Sequence, residues 1–340
     1  MAFFKKVACF TDIHFGLKGN SRIHNDDCEE FVKWFIAQAK AEGCETCIFL
    51  GDWHHHRSAT NVSTMNYTVS NMERLGAAFE KVYVIMGNHD LYYRDKREIN
   101  SMEYIRNIPN IHIVNEWLVE DDVAILPWIV EDEWKKIEKM KQKYVFGHFE
   151  LPYFKMNAMV EMPDVGGIQT DHFAGCGKVF SGHFHKRQYM KNVTYMGNAF
   201  PHNYADAWDD DRGMMILEYG GEPKFINWPE MPRYITIKVS ELLEDPDKYL
   251  KPKMYVRVTL DIKISYEEAN FVRETFIDKY SLRELQLIPE QVDNAQQPTV
   301  QVQKFDSVDQ IVIKQLQGVD SETYDKNILT AIYNDLDVTN

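Results

Sequence analysis

The stretch "VIMGNHDLYY", Val84 to Tyr93, closes an apolar run with a glycine and then sets Asn88, His89 and Asp90 in a row. An apolar, β-branched run of this length ending in glycine reads as a buried strand leaving the core. Short polar side chains that bind metals or carry protons are unfavourable there unless they meet partners. Their partners must come from other parts of the chain.

Four further polar clusters follow apolar runs in the same way: Asp12 and His14 in "FTDIHFG", Asp52 in "FLGDWHHH", His148 in "FGHFE", and His183 with His185 in "SGHFH". Between the first three strand patterns lie helical ones. In "EEFVKWFIAQAKAEG" the residues Phe31, Val32, Phe35, Ile36 and Ala39 recur at three- and four-residue steps and define one buried stripe. "MNYTVSNMERLGAAFE" is a second helix of this kind. Strand, helix and strand in alternation predict an α/β fold of sheets covered by helices. In such sheets the loops at the carboxyl ends of strands converge on one crevice, so donors far apart in sequence can share a site.

Asp12, His14, Asp52, Asn88, His148, His183 and His185 make seven oxygen and nitrogen donors with no thiolate, a set that suits manganese, iron or zinc. One catalytic ion needs three or four protein ligands. Seven fit two ions that share a carboxylate, and Asp52 is the candidate bridge. Two cations about 3.5 to 4 Å apart bind a phosphate between them, lower the pKa of a water and stabilise an in-line displacement. The expected chemistry is phosphoester hydrolysis. His89 would protonate the leaving oxygen, with Asp90 accepting from its other ring nitrogen. At least one of His54, His55 and His56 is expected to line the crevice, whereas His24, His112, His172 and His202 read as ordinary loop or strand-end histidines.

Further strands are predicted at "IHIVNEW", "VAILPW", "KYVFGHFE", "KVFSGHFH", "VTYMGN" and "RGMMILEYG", with a charged helix in "EDEWKKIEKMKQK". Having fewer helical crossovers, this half is expected to be more antiparallel. "DDDRG", Asp209 to Gly213, reads as a solvated turn, and "WPEMP", Trp228 to Pro232, ends the first domain. The expected organisation is residues 1–232, a small α+β unit at 233–289, a polar linker at 290–302 and a helical segment at 303–340. Two apolar stripes in that last segment, Val308/Ile311/Val312/Leu316 and Tyr324/Ile328/Ile332/Leu336, either fold back on the body or dock on another protein.

A formal net charge of -14 and a pI near 5.3 exclude nucleic-acid binding by bulk positive charge, so any phosphate contact must be local, metal-assisted or shared with a partner. The five cysteines are scattered and read as buried free thiols, including the close pair Cys44 and Cys47. No run of eighteen apolar residues occurs, and "MAFFKKVACFTD" does not read as a signal sequence, so a reducing cytoplasm is expected.

With these motifs in this order, Lys6 to Glu218 resembles the calcineurin-like metallophosphoesterases. Within them it is most similar to the double-strand-break repair nucleases, the SbcD-type subunits and the recombination endonuclease subunits of T-even-like phages. "TDIHFG", "VIMGNHD" and "YMGNAFPHNYADAWDDDRG" support that narrower likeness. The resemblance implies a two-sheet sandwich flanked by helices, a small capping domain and a C-terminal helical tail. It implies Asp12, His14, Asp52 and His185 around one ion, Asp52, Asn88, His148 and His183 around the other, His89 and Asp90 as the catalytic pair, and His55 at the substrate. Two manganese ions, DNA as substrate, an SbcC-type coiled-coil ATPase docked on the tail, and a homodimer formed through the Met65 to Leu75 helix are also implied. A phosphomonoesterase and a catalytically idle DNA-end scaffold are the competing readings; "GDWHHHR" departs from the phosphoprotein phosphatase pattern, and no ligand position is lost.

Overall fold

The computed structural model describes residues 2–156 and 160–289. They lie in one compact unit, Met1–Glu290. The expected linker 290–302 and helical segment 303–340 lie outside the described residues.

In chain order the strands are β1 (Lys6–Phe10), β2 (Thr46–Phe49), β3 (Lys81–Ile85), β4 (Ile111–Val114), β5 (Leu118–Glu120), β6 (Val123–Leu126), β7 (Tyr144–His148) and β8 (Lys178–Gly182). They continue with β9 (Gln188–Met190), β10 (Val193–Tyr195), β11 (Gly213–Glu218), β12 (Lys224–Asn227), β13 (Tyr234–Lys238), β14 (Tyr255–Leu260) and β15 (Glu284–Pro289). Two six-stranded sheets result, ordered β12-β11-β1-β2-β3-β4 and β5-β6-β7-β8-β10-β9.

Alternation along each strand builds the layers. Val7 and Cys9 of β1 join Ile48, Ile85, Ile125 and Phe146 in a core between the sheets, while Ala8 and Phe10 pack with Phe31, Phe35, Met72 and Leu75 of the covering helices. Those helices, Arg22–Ala41 and Val62–Ala78, are capped by the Ser21 and Asn61 side chains, which accept from the His24 and Ser63 N–H groups. Ala124, Val145, Val179 and Tyr195 face a third apolar layer with Phe149, Phe154 and Phe173.

The second sheet differs from expectation. β6, β7, β8 and β10 pair in parallel, and antiparallel pairing is confined to the edge strands β5 and β9. Its crossovers are largely irregular chain: the predicted charged helix is a single 3-10 segment, Glu133–Lys139. Parallel strands need a long connection, but that connection need not be an α-helix.

Residues 234–289 form a third, all-parallel sheet, β13-β14-β15, over an apolar cluster that includes Ile235, Leu242, Val256 and Leu285. It sits against the Arg22–Ala41 helix, where Arg283 Nη2 donates to Asp27 Oδ1 at 2.6 Å and Lys253 pairs with Glu30 at 2.5 Å. "DDDRG" is solvated only in part: Asp210 and Asp211 are exposed, but Arg212 is buried between Asp206 and Asp209, 3.2 Å from each. The five cysteines are buried and free, and no described helix is long and apolar enough to cross a membrane.

Candidate metal centre

β1, β2 and β3 are adjacent and parallel, with Phe10, Phe49 and Val84 in register, and β7 and β8 are adjacent and parallel with His148 opposite Gly182. Their carboxyl ends open on one rim. The loops beyond them bring all seven expected donors together.

One group forms around Asn88. His148 Nε2 lies 3.1 Å and His183 Nδ1 2.9 Å from Asn88 Oδ1, and His148 Nε2 is 3.4 Å from Asp52 Oδ2. A second group forms around His14, whose Nε2 is 3.9 Å from Asp12 Oδ1, 3.8 Å from Asp52 Oδ2 and 3.3 Å from His185 Nε2. Asp52 belongs to both. Donors about 2.0–2.2 Å from a shared ion stand roughly 3 Å apart in adjacent positions and up to about 4.4 Å apart in opposite ones, so these separations fit two cations sharing Asp52.

The backbone is bent to make this possible. Asp12, His14, Asp52 and His183 have φ of 51°, 52°, 62° and 90°, in the left-handed region that non-glycine residues seldom occupy. Hydrogen bonds hold the turns: Asp12 N–H donates to Gly51 O at 3.0 Å, His14 N–H to Asp52 O at 3.2 Å, and His183 N–H to Asp12 Oδ2 at 3.0 Å. Glycine is required beside them. A Cβ on Gly87 would stand 2.3 Å from Asp52 Oδ1, and one on Gly182 would stand 2.1 Å from Thr11 Oγ1.

The electrostatics call for positive charge at the centre. Burial raises the Asp52 carboxyl, but the adjoining His148, with His89 and His14, outweighs it and holds the group well below its ordinary value. Burial would lower His148, yet the Asp52 carboxylate reverses this and raises it. The same oxygens that draw a proton to His148 Nε2 would draw a cation. Elsewhere burial favours neutral imidazole, the form that ligates metals: it lowers His14 and His202 strongly and also lowers His183. His148 Nδ1 donates to Leu50 O at 2.7 Å, which leaves Nε2 directed at the site. His183 Nε2 is 3.1 Å from Glu150 Oε2, and Arg94 holds that carboxylate from the other side at 2.8 Å. Donor chemistry, spacing and tautomer all fit a pair of divalent cations.

His89 stands beside this cluster, partly exposed, its N–H donating to Asp52 Oδ1 at 2.8 Å and its ring 4.9 Å from the His14 ring. Asp90 does not orient it. His89 Nδ1 donates instead to the His55 carbonyl at 2.7 Å. The Asp90 carboxylate accepts four backbone N–H groups: Asp52 at 2.8 Å, Trp53 and His54 at 3.0 Å each, and Gly87 at 3.1 Å. Neighbours in a tight turn point in different directions, and Asp90 turns inward. Burial and the Asp52 charge raise its pKa, while the His54 and Gly87 N–H groups pull it down.

Of the three consecutive histidines, His54 is buried with Nδ1 on Ser101 Oγ at 2.7 Å and Nε2 on Thr68 Oγ1 at 2.9 Å, and His56 is exposed. His55 lies between them, its ring stacked at 5.4 Å on His89. Trp53 is core, stacked on Phe15 at 5.0 Å.

Two residues read as ordinary are at the site. His24 is buried and donates from Nε2 to His14 O at 3.0 Å, and the His202 ring lies 5.4 Å from His14 and 5.3 Å from His185. A lone histidine outside a strand-end motif carries no signal of this. Trp128, 5.2 Å from His183, and Glu150 also border the site, and Glu150 was within reach as the second residue after His148. His112 is exposed on β4, and His172 lies in a 3-10 segment.

A sandwich of two sheets with carboxylate, amide and imidazole donors gathered where its strands end defines a metallophosphoesterase. The model described as calcineurin-like phosphoesterase matches residues 5–187, more than half of the sequence, and the chain belongs to that family. It is similar to exonuclease subunit 1 of Enterobacteria phage T4, with 26% identity over 222 residues, or 63% of this chain. That match spans 64% of the phage protein's own length. Among solved structures it is similar to the nuclease MPE of Pseudomonas putida (16% identity, TM-score 0.31, 63% of this chain and 84% of that one). It is also similar to a dimetal phosphatase of Danio rerio (10% identity, TM-score 0.42, 63% and 92%).

Proposed function

We propose that this phosphoesterase is a DNA nuclease dependent on two divalent cations, manganese in its working form. The observation that carries the phosphoester chemistry is the shared position of Asp52 between the two donor groups. DNA as the substrate is supported by the likeness to a phage protein named as an exonuclease subunit.

Asp12, His14, Asp52 and His185 would hold one ion, and Asp52, Asn88, His148 and His183 the other. When bound, the pair supplies Lewis acidity toward phosphate oxygens and toward water. The chain does the rest. His89, fixed through Nδ1 on the His55 carbonyl, presents Nε2 as the proton donor to the leaving oxygen. His55, stacked on His89, would contact the phosphate backbone. Tyr92 and Tyr93, two and three residues beyond Asp90, expose aromatic faces of the kind on which bases stack.

With an acidic chain, much of the phosphate-binding surface would come from elsewhere. An SbcC-type ATPase bound through residues 303–340, and a second copy meeting Met65 to Leu75 of the Val62–Ala78 helix, complete the reading. Val62 and Met65 are exposed on that helix.

The test is incubation with end-labelled linear and hairpin DNA and manganese, beside a p-nitrophenyl phosphate control. DNA cleavage abolished by chelation is expected. Turnover of the phosphomonoester with intact DNA would replace the nuclease reading with a phosphatase.

A further inference from the structure

His202 is 2% exposed, and neither ring nitrogen has a hydrogen-bond partner among the described residues. A neutral imidazole carries one donor and one acceptor, and burying both unpaired is unfavourable. Among the described residues the ring bonds no acceptor. Asp206 is the nearby carboxylate, but its Oδ2 takes the His202 backbone N–H at 2.9 Å and its Oδ1 takes Arg212 at 3.2 Å. His24 is already engaged with His14 O through Nε2. Phe200 packs edge-on at 5.1 Å and has nothing to bond.

What the ring does face is the His14 side of the metal centre. One donor atom from each of His14, His185 and His202 lies within 4.8 Å of the others. His14 Nδ1 is itself buried and unpartnered.

We infer that His202 is a further imidazole ligand of the cation held by Asp12, His14, Asp52 and His185, a proposal that rests on the dimetal reading above. This ligand gives its site three imidazoles and two carboxylates, whereas the other site has two imidazoles, an amide oxygen and Asp52. The richer nitrogen set favours transition-metal ions over magnesium at that position. The two sites should therefore differ in ion preference.

The test is cobalt and manganese titration of the full chain stripped of metal, by calorimetry and by the visible spectrum of bound cobalt. Wild type, His202→Phe and His202→Gln are compared. Wild type is expected to bind two ions. His202→Phe, which fills the same volume without unpaired nitrogens, should weaken one of the two by about 10- to 100-fold, leave the other unchanged and alter the cobalt spectrum. Its metal-free melting temperature should be no lower than that of wild type, while its melting shift on adding metal should shrink. Should His202→Phe not fold, His202→Gln keeps a polar side chain of similar reach, and an altered or unaltered cobalt spectrum in it separates ligand from packing residue in the same way. Two ions in wild type with unchanged affinities and spectra in the folded variant would make His202 a packing residue and overturn the inference alone. Fewer than two ions in wild type would overturn the dimetal reading along with it.

Discussion

The Asp90 carboxylate accepts a hydrogen bond from the backbone N–H of Asp52 at 2.8 Å, so a side chain of one strand-end loop holds the main chain of another in place. Three more N–H groups, from Trp53, His54 and Gly87, reach the same carboxylate. Asp52 has positive φ and belongs to both donor groups, so the turn Asp90 braces is the one on which both ions would depend. Asp90→Asn turns an amide NH2 toward N–H groups that need acceptors. It is expected to lose about 2 to 4 kcal/mol of stability in urea denaturation and to bind metal more weakly. Wild-type stability and metal content with turnover alone reduced would return Asp90 to an orienting role toward His89.

Gly87 tests the same turn by volume. An added Cβ would approach Asp52 Oδ1 to 2.3 Å and Asp52 N to 2.5 Å, and neither atom can retreat without breaking the turn. Gly87→Ala should weaken binding of both ions, because the shared carboxylate is displaced, and should lower the melting temperature by several degrees. Loss of one ion with the other retained at full affinity would show that Asp52 is not shared.

The positions of these donors could be read from sequence because each follows a buried strand, where a polar residue stands out against the apolar run. The layered architecture followed from alternating strand and helix periods for the same reason. Other features had no such contrast. The parallel pairing of β6, β7, β8 and β10 was hidden because its crossovers lack long helices. Asp90 next to His89 suggested a contact that the turn geometry forbids. His202, two residues beyond Phe200 in a loop, looks like any histidine until the chain returns it to His14.

Arg97 supports the site from behind and provides a pH signature. It donates to Trp128 O and Asn115 O at 2.8 Å each and to both Glu133 oxygens at 2.6 Å, tying the loop after Asp90 to the second sheet. Burial raises the Glu133 carboxyl, but the Arg97 hydrogen bonds and charge outweigh it and hold it below its ordinary value. A depressed folded-state value means that this stabilisation is present above the unfolded pKa and is lost as pH falls through the folded one. Glu133→Gln should cost about 1 to 3 kcal/mol at neutral pH, with the gap to wild type narrowing in acid. Parallel urea-stability profiles for the two proteins from neutral pH down to about pH 3 would remove Glu133 from the acid response.

His89 separates proton donation from metal binding. Its backbone N–H supports Asp52 and survives any substitution except proline, while its ring is partly exposed and held by the His55 carbonyl. His89→Gln should therefore retain both ions yet cleave DNA about 10²- to 10⁴-fold more slowly. A leaving group that needs no proton is the discriminating substrate: with bis-p-nitrophenyl phosphate, whose phenolate departs unaided, the variant should lose far less. Equal losses on both substrates, with metal content intact, would assign His89 to phosphate positioning. Ions lost together with activity would instead place it among the ligands.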